Sequence, residues 1–113
     1  MEQHSNQVVK TCDVIGKSVL SYTNEKLGSI EEIVLDKVSG ETKYVVLSFG
    51  GFLGMGDKLY ALPWKSINYD LNEDAFKLGI DKERLKVAPG FDKENWPNFA
   101  DPKFSSTLSD FYM

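Results

Sequence analysis

Gly50-Gly51-Phe52-Leu53-Gly54-Met55-Gly56 is the stretch whose residue types come nearest to a chemical device. A glycine-rich run can cradle a phosphate, because backbone amides approach the ligand closely when no Cβ intervenes. The dinucleotide-binding version of that device leads from a strand into a helix, whose N-terminus faces the phosphate. This run leads instead into Lys58-Leu59-Tyr60-Ala61-Leu62-Pro63-Trp64, which reads as a strand, and no lysine-serine pair follows Gly56. Gly50, Gly51, Gly54 and Gly56 are therefore expected to form a structural loop. Phe52, Leu53 and Met55 then either plug one end of the fold or face a protein partner, since exposed apolar clusters usually mark contact surfaces.

The remaining candidates for chemistry are sparse. Nucleophilic catalysis needs a nucleophile and a base within hydrogen-bond reach. The only histidine is His4, in the polar N-terminal arm, and the only cysteine is Cys12. One of each gives no zinc-ligand spacing and no intrachain disulfide, and Cys12 reads as a small hydrophobe beside a strand. Carboxylates crowd two places, Glu31, Glu32, Asp36 and Glu41 along one segment and Asp70, Glu73 and Asp74 along another. Neither group has calcium-loop spacing, and both read as solvated faces that protect strand edges. No catalytic, cofactor-binding or metal-binding residue is assigned, no cofactor is expected, and the chain is expected not to be an enzyme.

Thirteen Lys and Arg against 17 Asp and Glu give a formal net charge of -4 and an isoelectric point near 4.9. Nucleic-acid binding draws its affinity from basic patches that release counterions, so no nucleic-acid partner is expected. The N-terminus lacks the basic and apolar regions of a secretion signal, and no apolar run approaches the ~20 residues of a membrane span. A soluble, cytoplasmic protein with no transmembrane segment is expected.

The elements that must position any site are mostly strands. Residues 1–12 read as a flexible arm, and order begins near Val14-Ile15-Gly16. Lys17–Tyr22 has β character, and Asn24–Gly28 reads as a turn in which Asn and Gly suit positive φ. Ser29–Lys37 is ambiguous, because Leu27, Ile30 and Val34 follow helical spacing while Ile30, Ile33, Val34 and Leu35 favour a strand. The turn signal at Ser39-Gly40 decides for a strand, and the pair Glu31-Glu32 interrupts its alternation as a β-bulge would. Thr42–Phe49 is apolar on both faces and so central. Leu59–Trp64 ends at Pro63, which has no amide to give a sheet. Ile67, Tyr69 and Leu71, then Phe76, Leu78 and Ile80, form a further alternating pair around Asn72-Glu73-Asp74. The fold class is mainly β, a small, strongly bent antiparallel barrel of about six strands. Trp64 is expected in its core. Asp81 can N-cap a short helix through Ala88, and Asp92–Trp96 reads as another helical turn.

Trp96, Phe99, Phe104, Phe111 and Tyr112 hold five of the 14 aromatic residues, which is more apolar surface than a free tail carries. Residues 93–113 are therefore expected to dock, on the barrel or on a partner subunit, with Ser106–Tyr112 forming one or two helical turns. Together with Phe52, Leu53 and Met55, these five aromatics are the candidate protein interface.

The order of motifs carries a resemblance. Val14-Ile15-Gly16-Lys17-Ser18-Val19 is followed by Glu25-Lys26-Leu27-Gly28-Ser29-Ile30-Glu31-Glu32-Ile33-Val34-Leu35-Asp36. Then come Ser39-Gly40, Tyr44-Val45-Val46-Leu47-Ser48, the glycine run with Leu62-Pro63-Trp64, and Leu85-Lys86-Val87-Ala88-Pro89-Gly90-Phe91-Asp92. Over residues 13–92 this resembles the PRC-barrel domain, named after the photosynthetic reaction centre H subunit. The tail resembles, more loosely, extensions of stand-alone bacterial members. The resemblance implies a small bent barrel acting as a non-catalytic adaptor. In the reaction centre subunit the domain supports a membrane complex at its cytoplasmic face, and in the ribosome maturation factor it helps bind a ribosomal protein. The family offers no catalytic residues to transfer. The expected function is a self-associating protein-interaction module, with a homodimer favoured. The alternatives are a small-ligand-binding regulatory barrel, or an accessory factor in RNA and ribosome maturation or in membrane-complex assembly.

Overall fold

The structure, a computed structural model, describes residues 8–49 and 58–113. His4 and the whole glycine run, with Phe52, Leu53 and Met55, lie outside the described residues. A single helical turn, α1 (Thr11–Val14), precedes β1 (Ser18–Leu20), β2 (Lys26–Leu35), β3 (Thr42–Phe49) and β4 (Lys58–Pro63). After a 3-10 turn at Trp64–Ser66 come β5 (Ile67–Asp70), β6 (Ala75–Leu78), and the helices α2 (Lys82–Lys86) and α3 (Pro102–Tyr112). The strands form one sheet in the order β4-β3-β2-β1-β6-β5, curled into a half-barrel.

The strand reading of Ser29–Lys37 holds, bulge included. Ile30 stands opposite Leu47 and Glu32 opposite Val46, so Glu31 is the extra residue that bends β2. The β2–β3 turn is built by Asp36, whose Oδ1 accepts from the amides of Val38 and Ser39 at 2.8 and 3.1 Å. Gly40 follows with φ +80°, a conformation that costs glycine nothing.

Two expectations are corrected. The sheet is not antiparallel throughout, since β1 and β6 run parallel, with Val19 opposite Phe76. The β5–β6 hairpin attaches to β1 through β6. Gly28 is not a turn residue either, although Asn24 is, with φ 69°. Gly28 lies within β2, where an added Cβ would stand 2.2 Å from the Ser48 carbonyl oxygen. The bent sheet brings two backbones together there, and only glycine fits.

β3 is central and buried on both faces, from Tyr44 to Phe49. Val45, Leu47 and Phe49 join Tyr60, Leu62, Val19, Ile30, Phe76 and Leu78 in the main core. Leu85 of α2, capped as expected by Asp81 Oδ1 accepting from the Arg84 amide, closes that core. Trp64 is half-buried and packs on Phe76, 5.9 Å between ring centroids. Cys12 sits exposed on α1 rather than packing as a hydrophobe, because the single turn buries none of its residues. Tyr44 and Ala61 belong to a second, smaller cluster on the opposite side of the sheet. That side needs a cover of its own.

Candidate interaction surface

The cover is the C-terminal segment. The Leu59 amide donates to the Phe91 carbonyl and the Phe91 amide returns the bond, at 2.9 and 2.8 Å, so Phe91 zips onto the outer edge of β4. The helical turn expected at Asp92–Trp96 is a lone hydrogen-bonded turn, with the Asn95 amide donating to the Asp92 carbonyl. Asp101 then caps α3, its Oδ1 accepting from the Lys103 amide at 2.9 Å, and Pro102 fills the first helical turn where an amide is not needed. α3 runs from Pro102, four residues before the expected start.

Phe104, Leu108, Phe111 and Tyr112 recur at i, i+4, i+7 and i+8, which places them on one face. Leu108 is buried against Tyr44 and Ala61, while Phe104 and Tyr112 pack around the same cluster. Tyr44 is the anchor, with the rings of Phe99 and Phe104 at 5.8 and 5.9 Å. The contacts continue through Phe99–Phe104, Trp96–Phe99 and Phe91–Trp96 at 5.7, 6.2 and 5.0 Å. Such tilted and edge-on pairs are favourable beyond the area they bury. At the far end of α3, Phe111 and Tyr112 reach the main core, and the Arg84 guanidinium lies 4.3 Å from the Phe111 ring centroid.

The five aromatics expected at a protein interface lie together in this segment, packed on Phe91, Tyr44 and the chain's own core. Phe99, Phe104, Phe111 and Tyr112 are half-buried there, whereas Trp96 keeps 42% of its surface exposed. Sequence reasoning passed over Tyr44, Phe91 and Arg84. Tyr44 had a usable signal, since its place in the alternation sets it on the face opposite Val45.

Electrostatics around the surface are mild, with one exception. The hydroxyls of Tyr60 and Tyr112 are buried and have no hydrogen-bond partner among the described residues. Burial pushes both phenols up, and the neighbouring Tyr60 pushes Tyr112 further. Two grooves open beside α3 on its Ser105 side. One of about 490 Å³ runs between Thr42, Lys43, Trp64, Lys65, Ser105 and Ser109. The other, of about 420 Å³, lies between Val34, Leu35, Tyr44, Phe99 and Pro102. Beside them Lys43 donates to Glu41 at 2.8 Å, holding that carboxyl below its ordinary value. Among the described residues no three His, Cys, Asp or Glu are gathered as a metal site. No helix among them is long and apolar enough to cross a membrane.

The model of the PRC-barrel domain matches residues 7–85. The chain belongs to the PRC-barrel family. No curated protein matches the sequence. The PRC-barrel match spans every strand and stops inside α2, so the aromatic segment and α3 lie beyond it. The candidate surface is thus formed where this segment covers the outer face of the PRC-barrel sheet.

Proposed function

We propose that this PRC-barrel chain is a non-catalytic protein-interaction module that self-associates as a homodimer in the cytoplasm. The observation that supports it best is Trp96. Its ring is flanked by Phe91 and Phe99, yet it is 42% exposed. A large aromatic already ordered by its neighbours loses little entropy on binding, and such residues dominate interface energetics. Phe99 links it to the groove of about 420 Å³, where Leu35 is 48% exposed. Light scattering over a concentration series tests the reading. The wild type is expected to pass from monomer to dimer mass, and Trp96→Ser to weaken the dimer by at least about tenfold, as loss of an interface anchor does. Phe52→Ser and Met55→Ser weigh the contribution of the glycine run. A wild type that stays monomeric at every concentration sinks the proposal.

A further inference from the structure

The seat under α3 is built for one particular helix, and several features make that helix easy to lift. Only Leu108 of its residues is fully buried. Grooves open along its Ser105 side, one toward each end of the helix. Its last turn brings in the Tyr112 hydroxyl, near that of Tyr60, and neither has a hydrogen-bond partner among the described residues. A buried hydroxyl with no partner forfeits the bond it had with water, so the closed seat is held less tightly than its apolar contacts suggest. Ser105, Ser106, Thr107 and Ser109 are weak formers of helix interior, so α3 depends on the seat for its order.

The tether is long enough to let α3 leave. Among the described residues, the last backbone hydrogen bonds to the sheet before α3 are those between Leu59 and Phe91. From Asp92 to Asp101 the backbone bonds among the described residues are local turns. Ten residues extend to about 33 Å. That is comparable with the molecule's own extents of 43, 34 and 25 Å, so a released α3 reaches past the edge of its own protomer.

We infer that α3 exchanges between two copies of this chain, each docking its helix on the partner's β3–β4 face. This rests on the self-association reading and supplies its means. A second copy is the occupant that fits without any new complementarity, since Tyr44, Ala61 and Arg84 would meet the same Phe104, Leu108 and Phe111 that they meet now. Exchange of identical elements is a low-cost route to dimers because the contacts are already optimised.

Cross-linking decides it. With Cys12→Ser as background, one chain carries Ala61→Cys and the other Leu108→Cys, replacing two residues that pack together. Mixed at high concentration and oxidised, the pair is expected to yield a disulfide-linked heterodimer several-fold above what either chain gives alone. The double variant in one dilute chain closes the same bridge internally and checks its reach. A heterodimer no more abundant than the single-chain products overturns the exchange. If light scattering still shows a dimer, self-association stands and its interface lies elsewhere. As a second readout, a concentrated wild-type sample diluted below its dimer range should return to monomer slowly, because both seats must open. Return within the mixing time also overturns the exchange.

Discussion

Gly28 carries a constraint that no neighbouring residue shares. A Cβ there meets the Ser48 carbonyl oxygen at 2.2 Å and the Leu47 side chain at 3.0 Å, and the first of these is backbone that cannot rotate away. Gly28→Ala is expected to cost at least about 1–3 kcal/mol, the range for overpacked interiors, read as a lower urea midpoint. Gly79→Ala is the matched control, since nothing lies within 4 Å of its added Cβ, and it should leave the midpoint nearly unchanged. The contrast shows which residue-scale features a sequence can reveal. Asn24 and Gly40 answer to their own backbone angles, so local turn chemistry finds them. The bulge at Glu31 also shows locally, as a break in alternation. Gly28 answers to a residue twenty positions away, and no window along the chain contains both. Tyr44 lies between these cases. Its face was readable, but that Phe99 and Phe104 would cover it depends on the path of the tail.

At the scale of elements, α3 is the piece whose presence was legible and whose extent was not. The weight of aromatic residues required the tail to dock. The start of the helix was written in Asp101-Pro102, a capping residue followed by proline, whereas Ser105, Ser106 and Thr107 have little helix preference of their own and hide its continuity. Asp101→Ala removes the cap that receives the Lys103 amide. It should destabilise the helix by about 1 kcal/mol, measured as lost helical circular dichroism on mild heating before the sheet melts. A stability equal to wild type would mean that the seat alone orders the first turn. The strands were legible because alternation and turn residues are local. The parallel pairing of β1 with β6 was not, since pairing partners are chosen by tertiary packing rather than by either strand's own residues.

For the molecule as a whole, a set of exposed carboxylates shapes the response to acid. The Ser39 and Val38 amides hold Asp36 below its ordinary value, Lys77 with the Glu73 amide does so for Asp70, and Lys17 with Tyr69 does so for Asp74. Lys43 acts likewise on Glu41. Each folded carboxyl is more acidic than its unfolded counterpart, so the unfolded chain takes up protons first as the pH drops. The stability these groups supply is complete above the ordinary carboxylate values of 3.8 and 4.5 and is lost as the pH falls through and below them. The melting temperature should therefore hold from neutral pH to about pH 5 and decline from there to about pH 3, less steeply in Asp70→Asn. A flat profile would contradict the assignment. The pairing of Val19 with Phe76 has a different consequence, one of timing. β2, β3 and β4 follow one another closely, and β5 and β6 form their own hairpin, so both units can assemble from nearby residues. The β1–β6 seam joins residues almost sixty positions apart, and closing so large a loop is entropically the dearest step. The seam is then expected to form late. Val19→Ala should accelerate unfolding while leaving the refolding rate nearly unchanged, a kinetic signature that stopped-flow chevrons read directly. This molecule would thus gain its sheet in two instalments, and until the second arrives β1 lacks the neighbour on its far side.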